Sequence, residues 1–173
     1  MLSRRTFGMT AAATAALSGA GLMRWFGRKA QAEDQGSFEV TYSDQEWRQR
    51  LTPEQYYVLR EHGTERAGSS PLNHETRAGT FACAACDLPL FASDTKFDSG
   101  TGWPSFFAPL DDAIGTSEDS SLFVTRTEVH CRRCGGHLGH VFEDGPPPTG
   151  LRYCMNGVAL KFVPADAQAR GNA

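Results

Sequence analysis

Two short segments with helical spacing are followed by stretches that alternate between apolar and polar positions. Ser43 and Glu46 stand three apart, the spacing of a capping box, and Trp47 and Leu51 behind them lie four apart on one face. Thr52 and Gln55 repeat the box, with Pro53 at the first helical position and Gly63 as the expected stop. Residues 64–80 are rich in Gly, Ser, Pro and Asn and read as loop. Beyond them the pattern predicts strands at 80–84, 122–129, 140–143 and 151–163. In the last, Val158, Leu160 and Phe162 alternate with Ala159 and Lys161, as in a half-buried strand. Residues 144–150 contain three consecutive prolines and form a stiff loop leading into that strand. The pattern predicts a mostly β fold with two small helices at its front.

Composition narrows the class. The chain has 173 residues, 40% hydrophobic and 21% charged, which suits a single soluble globular domain and excludes a disordered chain or a multi-pass membrane protein. The net charge of −3 hides an asymmetry. Five of the 17 basic residues (Arg4, Arg5, Arg24, Arg28 and Lys29) lie in residues 1–32, which hold no acid. That leaves 12 basic residues against all 20 acidic ones in residues 33–173, a net of −8. Such a body lacks the basic face that nucleic acid binding needs.

The first 32 residues read as an address. Ser3-Arg4-Arg5-Thr6-Phe7 precedes a mild apolar run over residues 8–23, and Ala30-Gln31-Ala32 is a small-x-small cleavage pattern. The run is shorter than the ~20 residues of a spanning helix. The segment resembles a twin-arginine export signal. It departs from the usual pattern at Gly8 and Met9. The resemblance implies a periplasmic protein that meets a membrane only during export, with a mobile leader over 33–44, a domain over 45–165 and a tail over 166–173.

The five cysteines are an odd number. Cys83-Ala84-Ala85-Cys86 and Cys131-Arg132-Arg133-Cys134 each have the spacing of a metal knuckle, and two knuckles supply the four sulfurs of a closed tetrahedral zinc site. Gly135-Gly136 lets the backbone turn under the second knuckle. Such a site would clamp distant parts of the chain and add its binding energy to folding. Disulfides within the pairs, or a redox dithiol, are the alternatives.

Cys154 is left over. Arg152 and Asn156 lie two residues to either side, on its face in a strand, and a cation with an amide donor lowers a thiol pKa. His137 and His140 just upstream can donate or relay protons. A lone buried cysteine is the plainer reading.

Further blocks surround these residues: Gly63-Thr64-Glu65-Arg66, Phe97-Asp98-Ser99-Gly100, Gly102-Trp103-Pro104-Ser105-Phe106, His137-Leu138-Gly139-His140-Val141-Phe142, Asp144-Gly145-Pro146 and Thr149-Gly150-Leu151-Arg152-Tyr153-Cys154-Met155-Asn156. With both Cys-x-x-Cys pairs, they resemble the signature blocks of the methionine-R-sulfoxide reductases, the B type, over residues 45–163. The resemblance implies a small fold of twisted antiparallel sheets with a structural zinc ion. It implies that Cys154 is the nucleophile, that His140 and Asn156 hold a water near the sulfoxide oxygen, and that His137, Asp144 and Arg152 orient or polarise that machinery. Trp103 would pack against the substrate methyl group. The substrate would be oxidised methionine in proteins or free methionine-R-sulfoxide, with an external thiol reductant such as a thioredoxin-like protein. Many relatives carry a recycling cysteine where this chain has Thr101, and serine where it has Gly157. A thiol–disulfide oxidoreductase and a non-catalytic zinc-ribbon-like binding module are the competing readings.

Overall fold

The computed structural model describes residues 38–121 and 124–167. Residues 1–32, expected to be an export signal, and residues 33–37 of the expected leader lie outside the described residues. The rest of the leader packs on the body. Val40 N–H donates to Arg133 O at 3.0 Å, and the Phe38 ring meets His130 edge-on.

Both capping boxes form. Ser43 opens α1 (Asp44–Arg50) and Thr52 opens α2 (Pro53–Glu61), each exchanging hydrogen bonds with the third helical residue. Trp47 and Leu51 are buried. The second helix ends at Glu61, two residues before the expected glycine, with His62 as its C-cap. His62 takes the left-handed conformation at φ 55°, and Gly63 N–H donates back to Tyr57 O at 2.9 Å.

Among the described residues, nine strands follow in two antiparallel sheets. The small sheet runs β2 (Pro89–Ala92), β1 (Gly79–Cys83), β9 (Leu160–Pro164). The large sheet runs β3 (Lys96–Phe97), β4 (Ser105–Phe106), β8 (Arg152–Met155), β7 (His137–Phe142), β6 (Arg126–Cys131), β5 (Ile114–Asp119). Phe81 of β1, Phe91 of β2 and Phe106 of β4 are fully buried. Phe91 stacks on Phe106 at 4.4 Å and Phe81 meets it edge-on at 4.9 Å, so one aromatic cluster joins the sheets.

The single strand expected over 151–163 is two strands in different sheets. Residues Gly157–Ala159 form a turn of 3-10 helix between β8 and β9. The alternation of Val158, Leu160 and Phe162 does not carry into burial, since Ala159 is fully buried and Val158 only partly, and a distant side chain overrides it. The Glu65 carboxylate accepts from Gly157 N–H at 2.6 Å and Val158 N–H at 2.9 Å, so these amides are drawn away from a ladder. Ser70 fills the space a side chain at Gly157 would need, with its Oγ 2.0 Å from the position a Cβ would take. Strand β6 begins at Arg126, later than the 122 expected, and β7 begins earlier, at His137. Strands β2 to β5 were not anticipated. Two of them are only two residues long, too short to show a period.

Candidate active site and metal centre

The metal knuckles sit at the ends of two strands in different sheets. Cys83 ends β1 and Cys131 ends β6, and each accepts at its carbonyl from the amide four residues on, Asp87 and Gly135, at 3.0 and 2.8 Å. Gly135 takes φ +66°, the left-handed conformation that the second turn requires. The four sulfurs lie within 4.8 Å of one another. Cys83 Sγ is 3.7 Å from Cys134 Sγ, and Cys86 Sγ is 3.5 Å from Cys131 Sγ. Thiolates about 2.3 Å from a tetrahedral ion stand about 3.8 Å apart, whereas a disulfide needs about 2.05 Å. The set therefore fits a tetrahedral ion, and all five cysteines are free thiols. Packed together, the four thiols cannot ionise alike. Hydrogen bonding to Cys131 pushes Cys83 far up, while bonds from Cys134, Cys83 and Cys86 pull Cys131 far down. A metal ion bound by all four would tie the small sheet to the large one.

The second constellation lies in a cavity of about 120 Å³ lined by Thr64, Trp103, Arg126, Gly139, His140, Phe142, Cys154 and Asn156. Four residues singled out in the sequence thus converge: Cys154, His140, Asn156 and Trp103. Cross-strand pairing brings them there, with Cys154 opposite His140 on β7 and opposite Ser105 on β4. Gly139 allows the approach. A Cβ on it would come within 2.1 Å of Cys154 O.

Arg152, Asp144 and His137 stand around the cavity rather than in it. Arg152 makes a two-pronged bond to Asp144 at 2.8 and 2.9 Å, and its guanidinium lies 4.4 Å from the Phe142 ring centroid. Asp144 thus orients Arg152, whose charge acts on Cys154. The buried His137 ring stands 5.3 Å from that of His140.

The Cys154 thiol departs from the sequence expectation. Burial pushes its pKa up, and this outweighs the downward pull of Thr101, Arg152 and Ser105. The thiol is protonated in the substrate-free site. Thr101 Oγ1 lies 3.9 Å from its sulfur and continues through Ser99 at 2.8 Å to Ser105 at 2.7 Å, a chain of hydroxyls under the thiol.

Two carboxylates absent from the sequence reading support the histidines. Asp119 Oδ2 lies 2.7 Å from His140 Nε2 and 2.6 Å from Arg126 Nη2. Hydrogen bonds from Ser121 and His140 hold the Asp119 carboxyl well below its usual range, so it is ionised and Nε2 carries the hydrogen. Burial pushes the His140 pKa down more than Asp119 raises it. A neutral His140 therefore has a bare Nδ1. Glu128 is buried, which would raise its pKa. Bonds from His137 at 2.6 Å, His62 at 3.0 Å and Ser117 at 2.6 Å reverse this and hold it ionised. The signal for these acids was present in part: Arg126, Glu128 and His130 alternate on one face of β6, an unusual load for a half-buried strand.

Glu65 joins the site to its surroundings. Its N–H donates to Asn156 Oδ1 at 3.0 Å, and its carbonyl accepts from the Trp103 indole at 3.2 Å. Asn156 Nδ2 donates to Leu138 O at 3.0 Å. The block Gly63-Thr64-Glu65-Arg66 is thus the strap that sets two cavity walls.

The SelR domain matches residues 51–164, a span that takes in both knuckles, the strap and every cavity residue. The chain belongs to the SelR domain family. Other members show how closely it follows the family. It is 58% identical to the "Peptide methionine sulfoxide reductase MsrB" of Agrobacterium fabrum over 132 residues, which cover 76% of this chain and 98% of that protein. It is 60% identical over 123 residues to the protein of that name from Pseudomonas putida strain W619, covering 70% and 92%. With the Methanosarcina barkeri protein of that name it shares 54% over 133 residues, covering 76% and 94%. In this SelR protein the matched region begins at Leu51, so α1 lies before it and α2 within it.

Proposed function

We propose that this SelR protein reduces methionine-R-sulfoxide to methionine, with Cys154 as nucleophile. The observation that carries the reading is the Cys154 thiol in a cavity of about 120 Å³ walled by Trp103 and Phe142, in a chain 52–60% identical to enzymes named for this reaction. A small cavity with aromatic walls suits a methyl thioether. The Cys154 sulfur attacks the sulfoxide sulfur, and the protonated oxygen passes to the cysteine sulfur as the sulfur–oxygen bond of the substrate breaks. The thiol proton goes to that oxygen, methionine leaves, and Cys154 becomes a sulfenic acid. The cysteine sulfur is oxidised by two electrons and the sulfoxide sulfur reduced by two. Trp103 and Phe142 receive the methyl end. Neutral His140 and Asn156 hold the proton-carrying water beside the oxygen, Asp119 fixes the His140 tautomer, and Arg152, oriented by Asp144, favours the developing thiolate. His137 backs His140 with its ring.

Two molecules of an external thiol, or one dithiol protein of thioredoxin type, then reduce the sulfenic acid to thiol and water. With Thr101 in place of a recycling cysteine and the other four thiols around a metal, Cys154 has no thiol partner in its cavity. The ion is zinc, for which four thiolates are a preferred closed set, and it is structural. The basic segment at 1–32 supports twin-arginine export to the periplasm, where oxidised exported proteins are the substrate, and zinc loaded before export would protect the four thiols. The test follows separated R and S epimers of a methionine sulfoxide substrate with dithiothreitol. Turnover of the R epimer alone, lost in Cys154→Ser with one zinc retained, is expected. Equal turnover of both epimers, or an active Cys154→Ser, overturns the assignment.

A further inference from the structure

We infer that a groove beside the catalytic cavity is a subsite for the polypeptide that flanks the oxidised methionine, an inference that rests on the reductase reading above. The cavity at Cys154 holds about 120 Å³, room for the end of one side chain, whereas sites for whole small ligands run roughly 300–1,000 Å³. The groove holds about 790 Å³. Thr64 lines both spaces, and Glu65 and Gly157 of the groove adjoin Asn156 of the cavity through the hydrogen bonds described. The two spaces share Thr64 of the strap as a wall.

The groove also has the chemistry of a peptide site. Tyr57, Leu72, Val158 and Leu160 give it apolar walls, with Arg66 and Lys161 beside them. Tyr57 is 51% exposed, one of two large hydrophobic side chains so placed among the described residues. Leu160 and Lys161 are the first residues of β9. That strand is the outer edge of the small sheet, paired with β1 on one side and with no strand on the other among the described residues. A free strand edge beside an apolar groove takes an extended segment through main-chain hydrogen bonds, independent of sequence. Independence of sequence is what a substrate defined only by an oxidised methionine requires.

The experiment uses the full chain with zinc bound and two probes, the blocked single residue N-acetyl-methionine-R-sulfoxide amide and a blocked hexapeptide with methionine-R-sulfoxide at its third position. The ratio of kcat/KM for hexapeptide over single residue is expected to be about 10 or more, and to fall towards one in Tyr57→Ala/Leu72→Ala. In a separate chain, p-azidophenylalanine replaces Tyr57 and is photolysed with the peptide bound. A peptide adduct is expected, and this readout stands even if the double variant misfolds. A ratio near one in the native chain, a ratio the variant does not change, or adducts only with the chain's own residues 1–37 or with a second copy would overturn the subsite. Failure to reduce either probe would instead refute the reductase reading itself.

Discussion

Removing the Glu65 carboxylate is the sharpest test of how the site is held. In Glu65→Ala the amides of Gly157 and Val158 lose their acceptor, now at 2.6 and 2.9 Å. Hydrogen bonds to a charged partner contribute roughly 1.5–3 kcal/mol each, and the half-exposed position of Glu65 puts both at the low end, so the loss is about 3 kcal/mol. For a body of this size that lowers Tm by roughly 10 °C. Glu65→Gln keeps one oxygen for one amide and turns its own NH2 towards the other, for a loss of about 2 kcal/mol. The main chain of Glu65 also holds Asn156 and Trp103, so kcat/KM should fall by roughly 10- to 100-fold as the two walls shift. Urea unfolding of the native protein, both variants, Asn156→Ala and the Glu65→Ala/Asn156→Ala pair gives the energies. The double variant should lose less than the sum, because both changes release the same strap. A Glu65→Ala protein within ~0.5 kcal/mol of the native one, with native kcat/KM, would refute the reasoning.

Three other outcomes are expected. Cys131→Ser, which opens the tetrahedron of sulfurs at the end of β6, should lose the metal and lower Tm by more than 10 °C, read by metal analysis and calorimetry. Retention of a full equivalent of metal would count against the four-sulfur site. Glu128 and His62 predict a pH dependence of opposite sign on two limbs. The Glu128 pKa is lowered from about 4.5, so its contribution is full above that pH and lost as the pH falls further. The His62 pKa is raised from about 6.5, so its contribution is full below that pH and fades as the pH rises through the higher folded value. The difference in urea stability between native protein and Glu128→Gln should therefore be largest between pH ~4.5 and ~6.5, and a difference that keeps rising above pH 7 would exclude this pairing. Thr101→Cys, with its side chain 3.9 Å from Cys154 Sγ in the native protein, should close a disulfide after one turnover, seen as the loss of two thiols in a thiol titration. Persistence of a free thiol at 101 after turnover would show that the side chains cannot meet.

The elements legible in the sequence are those whose cause is local. Two capping boxes, Pro53 and the four-apart pair Trp47 and Leu51 specify the helices, because each hydrogen bond joins residues three apart. The Cys-x-x-Cys spacing specifies each knuckle, and the odd cysteine singles out Cys154 as a thiol outside the four-sulfur cluster. What the sequence did not disclose depends on residues far apart along the chain. Glu65 breaks a well-alternating strand 92 positions away. The burial of Cys154 raises a pKa that its neighbours alone would lower. Asp119 and Glu128 become partners of His140 and His137 only once β5, β6 and β7 are paired. Periodicity and spacing report forces between near neighbours. Desolvation and cross-strand contact exist only after the chain has closed on itself, and those two effects set the protonation and orientation of the groups in the cavity.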